Sequence, residues 1–187
     1  AKLGPDGVGQ WVIKTANAYS NSTMISPCGV TDVIVGDDQT IYFALAGEMD
    51  GTIGFPNGST EVVHASLGHN PIVIYRIDSA GIPLNRIQDD AGFIINPINL
   101  SQTLMGTYGI LSSPQIHQTC KGDIVMAKSG LDYSQPYPNY GNLLVTSTTR
   151  DLTEWGPSHS AMLNSNGYMQ FLSTLDASTQ NVVLAIG

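Results

Sequence analysis

Charge is what this sequence has least of. Asp, Glu, Lys and Arg make up 12% of its 187 residues, about half the roughly 25% of an ordinary soluble domain. Cations are the scarcer sign: 7 Lys and Arg stand against 15 Asp and Glu, a net charge of −8. They are scattered from Lys2 to Arg150, and no two adjoin. Phosphate backbones and anionic headgroups need clustered Lys and Arg, so nucleic acid and anionic membrane surfaces are poor partners. Long apolar runs are absent too. No stretch approaches the ~20 residues that cross a bilayer as a helix, so the chain is not expected to span one. No signal-peptide pattern is present. With only Cys28 and Cys120, there is no disulfide framework. The two are either one bridge in an oxidising compartment or two buried thiols.

Chemistry-bearing motifs are equally thin. The Gly-x-Ser-x-Gly elbow of serine hydrolases is missing, and Ser158-His159-Ser160 has no further support. Gly4-Pro5-Asp6-Gly7-Val8-Gly9 has no strand before it and no helix after it, so it is no phosphate loop. Residues 1–20 read instead as an N-terminal arm, flexible or docked. His64 and His69 are five apart, a spacing that suits neither a strand nor a helix pair of zinc ligands. His117 and His159 stand alone. Asp37-Asp38 and Asp89-Asp90 are turn residues without calcium-loop spacing. No metal and no cofactor is therefore expected.

What fills the gap is Ser, Thr, Asn, Gln and Gly. A surface solvated by neutral polar groups is common outside the cell and on virus particles, which predicts an extracellular or virion-surface location. Apolar residues reach 42%, enough for a folded core, and the length suits a single domain over residues 1–187. Sequons at Asn21, Asn57 and Asn99 are about as many as this composition yields by chance, about two, so they decide nothing.

Helical periodicity is scarce, and short strand signals are plentiful. Runs rich in β-branched and aromatic residues cover Thr31–Val35, Thr40–Ala46, Pro71–Ile77, Asp123–Ala127, Asn142–Thr146, Tyr168–Leu172 and Asn181–Ile186. Turn residues bound them at Gly36–Gln39, Asp78–Gly81, Lys121–Asp123 and Asn164–Gly167. A loose repeat emerges, in which a lead-in at Ser26-Pro27, Asn70-Pro71, Ser113-Pro114 or Ser160-Ala161 enters a strand. The pattern predicts an all-β domain of antiparallel hairpins, as a propeller-like assembly or a β-sandwich.

One stretch is sharper. Gly141 to Thr148 reads as a strand that runs into Thr149-Arg150-Asp151-Leu152-Thr153-Glu154-Trp155. This resembles the outer half of a blade in the β-propeller glycoside hydrolases, where a strand runs into Ser-x-Asp-Leu-x-x-Trp. The resemblance implies that Trp155 packs between blades. It also implies two carboxylates near the starts of inner strands, for acid and base work on a sugar. The corresponding positions here look like Ser26 and Ser113, and a hydroxyl has neither the pKa nor the charge of a carboxylate. The remaining acids near strand starts, Asp32, Asp123 and Asp132, lack the family context. At ~40–50 residues per blade, the chain holds about four at most, where those enzymes use five. An incomplete propeller finished by oligomerisation and a plain sandwich both remain open.

The densest chemistry is Asp132-Tyr133-Ser134-Gln135-Pro136-Tyr137-Pro138-Asn139-Tyr140. Two prolines keep it out of a central strand. Sugar C–H faces stack on aromatic rings while their hydroxyls seek Asn and Asp. Asp132, Tyr133, Tyr137, Asn139 and Tyr140 are therefore candidate ligand-binding residues; the competing reading is a surface loop whose tyrosines cover a neighbouring strand. Trp11 could be packing or platform. These features point to a non-catalytic, lectin-like module that binds a glycan or other cell-surface ligand, as a homo-oligomer. Two other classes stay open. A propeller-type glycosidase, or a fragment of one, needs Asp32 and Asp123 in one pocket. A structural virion or appendage subunit binds its own copies.

Overall fold

The computed structural model describes residues 1–17, 29–46, 51–63, 72–89, 114–131, 141–163, 171–175 and 182–186. Every regular element in them is a strand. In chain order these are β1 (Lys2–Leu3), β2 (Gly9–Trp11), β3 (Lys14–Asn17), β4 (Gly29–Val35), β5 (Ile41–Ala46), β6 (Gly51–Gly54), β7 (Thr60–Val63) and β8 (Ile72–Ile77). They continue as β9 (Pro83–Asp89), β10 (Gln115–Gln118), β11 (Ile124–Leu131), β12 (Gly141–Thr148), β13 (Trp155–Leu163), β14 (Phe171–Leu175) and β15 (Val182–Ile186). All pairings among them are antiparallel, which makes the domain all-β, built of hairpins as the strand and turn pattern predicts.

The central layer is the sheet β4-β5-β8-β9. Its middle strands carry Tyr42-Phe43-Ala44-Leu45 and Ile72-Val73-Ile74-Tyr75, which are buried on both faces. Continuous apolar runs of this kind suit a strand covered on both sides, where alternation would leave one face polar. One face meets the sheet β10-β11-β12-β13. There Tyr42, Ala44, Ile72, Ile74 and Ile87 pack on Ile116, Ile124, Met126 and Leu152. The other face meets β3-β6-β7, with Phe43, Leu45, Val73, Tyr75 and Ile77 against Ile53, Phe55 and Val63. Phe43 stacks on Tyr75 at 5.1 Å between ring centres. A side chain of this kind contributes roughly 1.5–3 kcal/mol on full burial, so the two clusters dominate stability. β14, paired with β15, lies alongside β10. The result is a face-to-face stack of antiparallel sheets, an arrangement shared by sandwiches and propeller-like assemblies.

One turn design recurs six times among the described residues. The first residue's N–H donates to the carbonyl four residues on, and the fourth residue's N–H donates back to the first. Turns starting at Gly4, Gly36, Phe55, Asp78 and Thr119 make both bonds, and Thr149 shares the second through Leu152. The fourth position needs positive φ, and the six residues there are Gly7, Gln39, Gly58, Gly81, Gly122 and Leu152. Glycine takes this conformation without strain. Asp6, Asp38 and Asn57 each accept from the N–H two residues on, which holds the turn shape. The first turn converts Gly4–Val8 into the hairpin β1-β2. It is docked, because Lys2 Nζ and Trp11 Nε1 both donate to the Ser79 carbonyl at 2.8 and 3.0 Å.

The pairing registers place all these turns at one end of the stack. Val35, Ile41 and Ile77 lie level in the central sheet, as do Gln118, Ile124, Thr148 and Trp155 in the next. Lys14, Gly54 and Thr60 do so in the third. The other ends of the strands, at Asn17, Gly29, Ala46, Gly51, Val63, Ile72, Asp89, Leu131, Gly141 and Leu163, then lie opposite. The connections 18–28, 47–50, 64–71, 90–113 and 132–140 leave from and return to that opposite end.

Candidate functional site

The tyrosine segment, with Asp132, Tyr133, Tyr137, Asn139 and Tyr140, lies outside the described residues. Its two anchors do not. Leu131 ends β11 and Gly141 begins β12, and the two are direct partners across the ladder. The segment therefore leaves and re-enters the sheet at a single point of the opposite end.

Beneath that point sits a buried ion pair. Lys128, three residues before Leu131, is 1% exposed, and Asp89, at the end of β9, is 9% exposed. Lys128 Nζ donates to Asp89 Oδ2, across the gap between the two four-stranded sheets. Alternation explains why Lys128 points inward: Ile124 and Met126 share its face and belong to the apolar cluster. The interface is thus apolar through most of its depth and ionic at its last layer, under the strand ends. An unpaired buried charge costs several kcal/mol, so each partner holds the other in place. Sequence reasoning missed the pair because its members come from separate hairpins. The only local sign is a Lys at an inward position of an alternating strand.

The turn end is held differently, by surface ions. Arg76 Nη2 donates to Asp38 at 3.0 Å, and its Nη1 donates to Asp151. Arg150 Nη2 reaches Asp37 at 3.0 Å. Gln118 accepts from Asp37 N–H at 2.9 Å. Tyr42 Oη donates to the Arg150 carbonyl at 3.1 Å. A Cβ on Gly122 would fall 2.1 Å from the Arg150 guanidinium, so a side chain there would push that guanidinium out of its place, at a φ of 90° that favours glycine. Hydrogen bonds from Thr40, side chain first, outweigh partial burial and hold Asp38 at a pKa of about 2, with Arg76 adding to the effect. On the other face, burial and the neighbouring Glu61 carboxylate push the Tyr75 hydroxyl up, and it donates to Glu61 at 3.0 Å.

The motif Thr149–Trp155 supplies much of this network. Arg150 and Asp151 make the ion pairs, and Leu152 is buried at positive φ. Trp155 packs against the inter-sheet cluster and donates from Nε1 to the Gln88 carbonyl at 3.0 Å. It thereby bridges the two four-stranded sheets. Trp11 is half-buried beside the Gly81 turn.

The acids weighed for catalysis have structural partners. Asp32 Oδ2 accepts from Ile116 N–H at 2.9 Å, which caps the edge of β10, and its Oδ1 accepts from Val33 N–H. Asp123 closes the β10–β11 turn through its carbonyl. Ser26, Ser113, His64, His69 and Cys28 lie outside the described residues. His117 is half-buried in β10, His159 is exposed in β13, and Cys120 is exposed in its turn. Ser158 Oγ donates to Thr146 Oγ1 at 3.1 Å. Among the described residues no group of three His, Cys, Asp or Glu is placed to hold a metal ion, and no helix is long and apolar enough to cross a membrane. Comparison with protein-family models, with curated proteins and with solved structures yields no match.

Proposed function

We propose that this protein is a non-catalytic recognition module whose ligand surface is the end of the stack opposite the six turns. The observation that carries the reading is the division of labour between the two ends. One is closed by short turns and cross-linked by Arg76 and Arg150. The other receives the connections 18–28, 64–71, 90–113 and 132–140. Binding residues gather on loops that a rigid scaffold positions, and the Lys128–Asp89 pair fixes the sheet directly under the anchors of 132–140.

Carbohydrate is the ligand class that the sequence of 132–140 supports. Tyr133, Tyr137 and Tyr140 offer stacking faces, and Asp132 and Asn139 offer partners for hydroxyls. Pro136 and Pro138 lower the entropy lost on binding. A surface location and an oligomeric state accompany this reading, since linked weak sites gain avidity without new contacts.

The test is a broad glycan array on the purified protein beside its Tyr137→Ala variant. The reading expects binding to one glycan family that the variant loses. No glycan binding at high protein concentration sinks it.

A further inference from the structure

The two faces of the central sheet are not covered to the same extent. The sheet β10-β11-β12-β13 has four strands, whereas β3-β6-β7 has three. Contacts fix how the three lie over the central sheet. Glu61 of β7 bonds Tyr75 of β8 and pairs with Arg86 of β9. Ile53 of β6 and the adjoining Phe55 enter the cluster of Phe43 and Tyr75. Trp11 and Ile13, just ahead of β3, pack at its β5 side, near Ile41 and Phe43. The order β7, β6, β3 thus follows β9, β8, β5, and the next position falls over β4.

Among the described residues no strand occupies that position, and β4 displays an apolar row towards it. Register puts Val30, Val33 and Val35 beside Leu45, Phe43 and Ile41 on one face. Leu45 and Phe43 are 0% and 3% exposed, whereas the valines are 53%, 58% and 65% exposed. A channel of about 400 Å³ runs along the row, lined also by Leu3, Trp11 and Ile13. Among the described residues β3 pairs with β6 alone, which leaves its other edge of N–H and C=O groups unpaired. β1 already marks the start of the missing position, through Lys2 opposite Trp11 and Leu3 opposite Gly9.

We propose that this channel is the docking site of one extended polypeptide strand, which runs antiparallel to β3, in line with β1, and completes the β3-β6-β7 sheet. Alternate apolar side chains of that strand cover Val30, Val33 and Val35. A lipid chain or a small apolar ligand fills such a volume but leaves the β3 backbone edge unpaired; a peptide strand satisfies both. The inference is independent of the glycan reading, because the channel lies on the flank of the stack.

The experiment uses the full chain, isotope-labelled, titrated with an octapeptide of alternating Val and Thr. A peptide of the same composition with its valines in one block is the control. The proposal expects amide protection confined to β3 and to Val30–Val35, together with a change in Trp11 fluorescence. It also expects affinity weakened at least about tenfold by Val33→Lys. Val33 is exposed, so this substitution leaves the fold intact, which the amide spectrum checks. No protection at millimolar peptide overturns the proposal, as does protection that Val33→Lys leaves unchanged. Light scattering on the free chain gives the remaining outcome. Self-association abolished by Val33→Lys assigns the face to a second copy and overturns it also.

Discussion

The two faces of the central sheet solve one problem to different degrees. Towards β10-β11-β12-β13 four strands cover the sheet, and even the rim is bridged: Lys128 meets Asp89, Arg76 meets Asp151, and Trp155 bonds Gln88. Towards β3-β6-β7 the cover provided by the described residues stops one strand short, over Val30, Val33 and Val35. Strand β4 belongs to both faces at once. Alternation puts Ile34 in the covered cluster, and the bulge between Val30 and Asp32 turns Val30 to the open side with Val33 and Val35. Burial therefore belongs to a face and its cover more than to a residue type: Phe43 and Val33 are register partners with opposite exposure.

The comparison can be broken first at the covered face. Lys128→Met leaves Asp89 buried without its cation, and urea denaturation is expected to show a loss of about 3–5 kcal/mol. Adding Asp89→Leu should recover much of that loss; a double variant as unstable as the single one speaks against an isolated pair. Met126→Ala, in the same interface, is expected to cost about 2–5 kcal/mol by opening a cavity. A cost well under 1 kcal/mol would mean that the two sheets do not pack as described.

Acid probes the rim of that interface. The Asp38 carboxyl, held at about 2 in the folded chain, titrates near 3.9 when unfolded. Its contribution is fully present above the unfolded value and is lost as pH falls from about 4 towards 2. Asp38→Asn should flatten the acid limb of the stability profile in that window, and an unchanged limb refutes the assignment. Gln39→Gly relieves a positive φ of 65° at a turn position that glycine fills elsewhere, with an expected gain of about 0.5–1 kcal/mol in thermal or urea unfolding. Val33→Lys, on the open face, should change the stability of the isolated chain by no more than about 0.5 kcal/mol. A larger loss would show that this face is covered after all.

The sequence exposes these features unevenly. Runs at Thr31–Val35, Thr40–Ala46, Pro71–Ile77 and Asp123–Ala127 were legible because β-branched residues cluster between turn residues. They correspond to β4, β5, β8 and β11. The lead-ins at Ser26 and Ser113 announce equivalent hairpins, β4-β5 and β10-β11, each first in its sheet. Ser160-Ala161 does not, since it lies inside β13. Strands β6, β9 and β13 were illegible: β6 begins at Gly51 and ends at Gly54, Pro83 opens β9, and Gly156 and Pro157 interrupt β13. Their strand character comes from partners, not propensity. The reading of residues 1–20 as an arm, flexible or docked, resolves to docked for residues 1–17, because a Gly-Pro-Asp-Gly turn marks a hairpin as well as a loop. The Lys128–Asp89 pair is a tertiary fact that neither local sequence contains. The candidate ligand residues rest on the tyrosines, prolines and polar side chains of 132–140, and only their anchors, Leu131 and Gly141, are placed by the fold.

The six turns also set an order in time. Each hairpin closes over a five-residue loop, an event of microseconds. Zipping then proceeds from the turns outward. Ile41 pairs before Ala46, and Ile124 before Leu131. The β5–β8 ladder is slower, since residues 47–71 must first fold back on themselves. Fraying retraces the same path in reverse, so Leu131, Gly141 and Ala46 should open at lower free energy than Ile41, Ile77 and Ile124. Native-state hydrogen exchange would display this as a gradient along every strand. The last residues to be locked in are then those that carry the connections, which leaves that end of the molecule free to adjust without unfolding the rest.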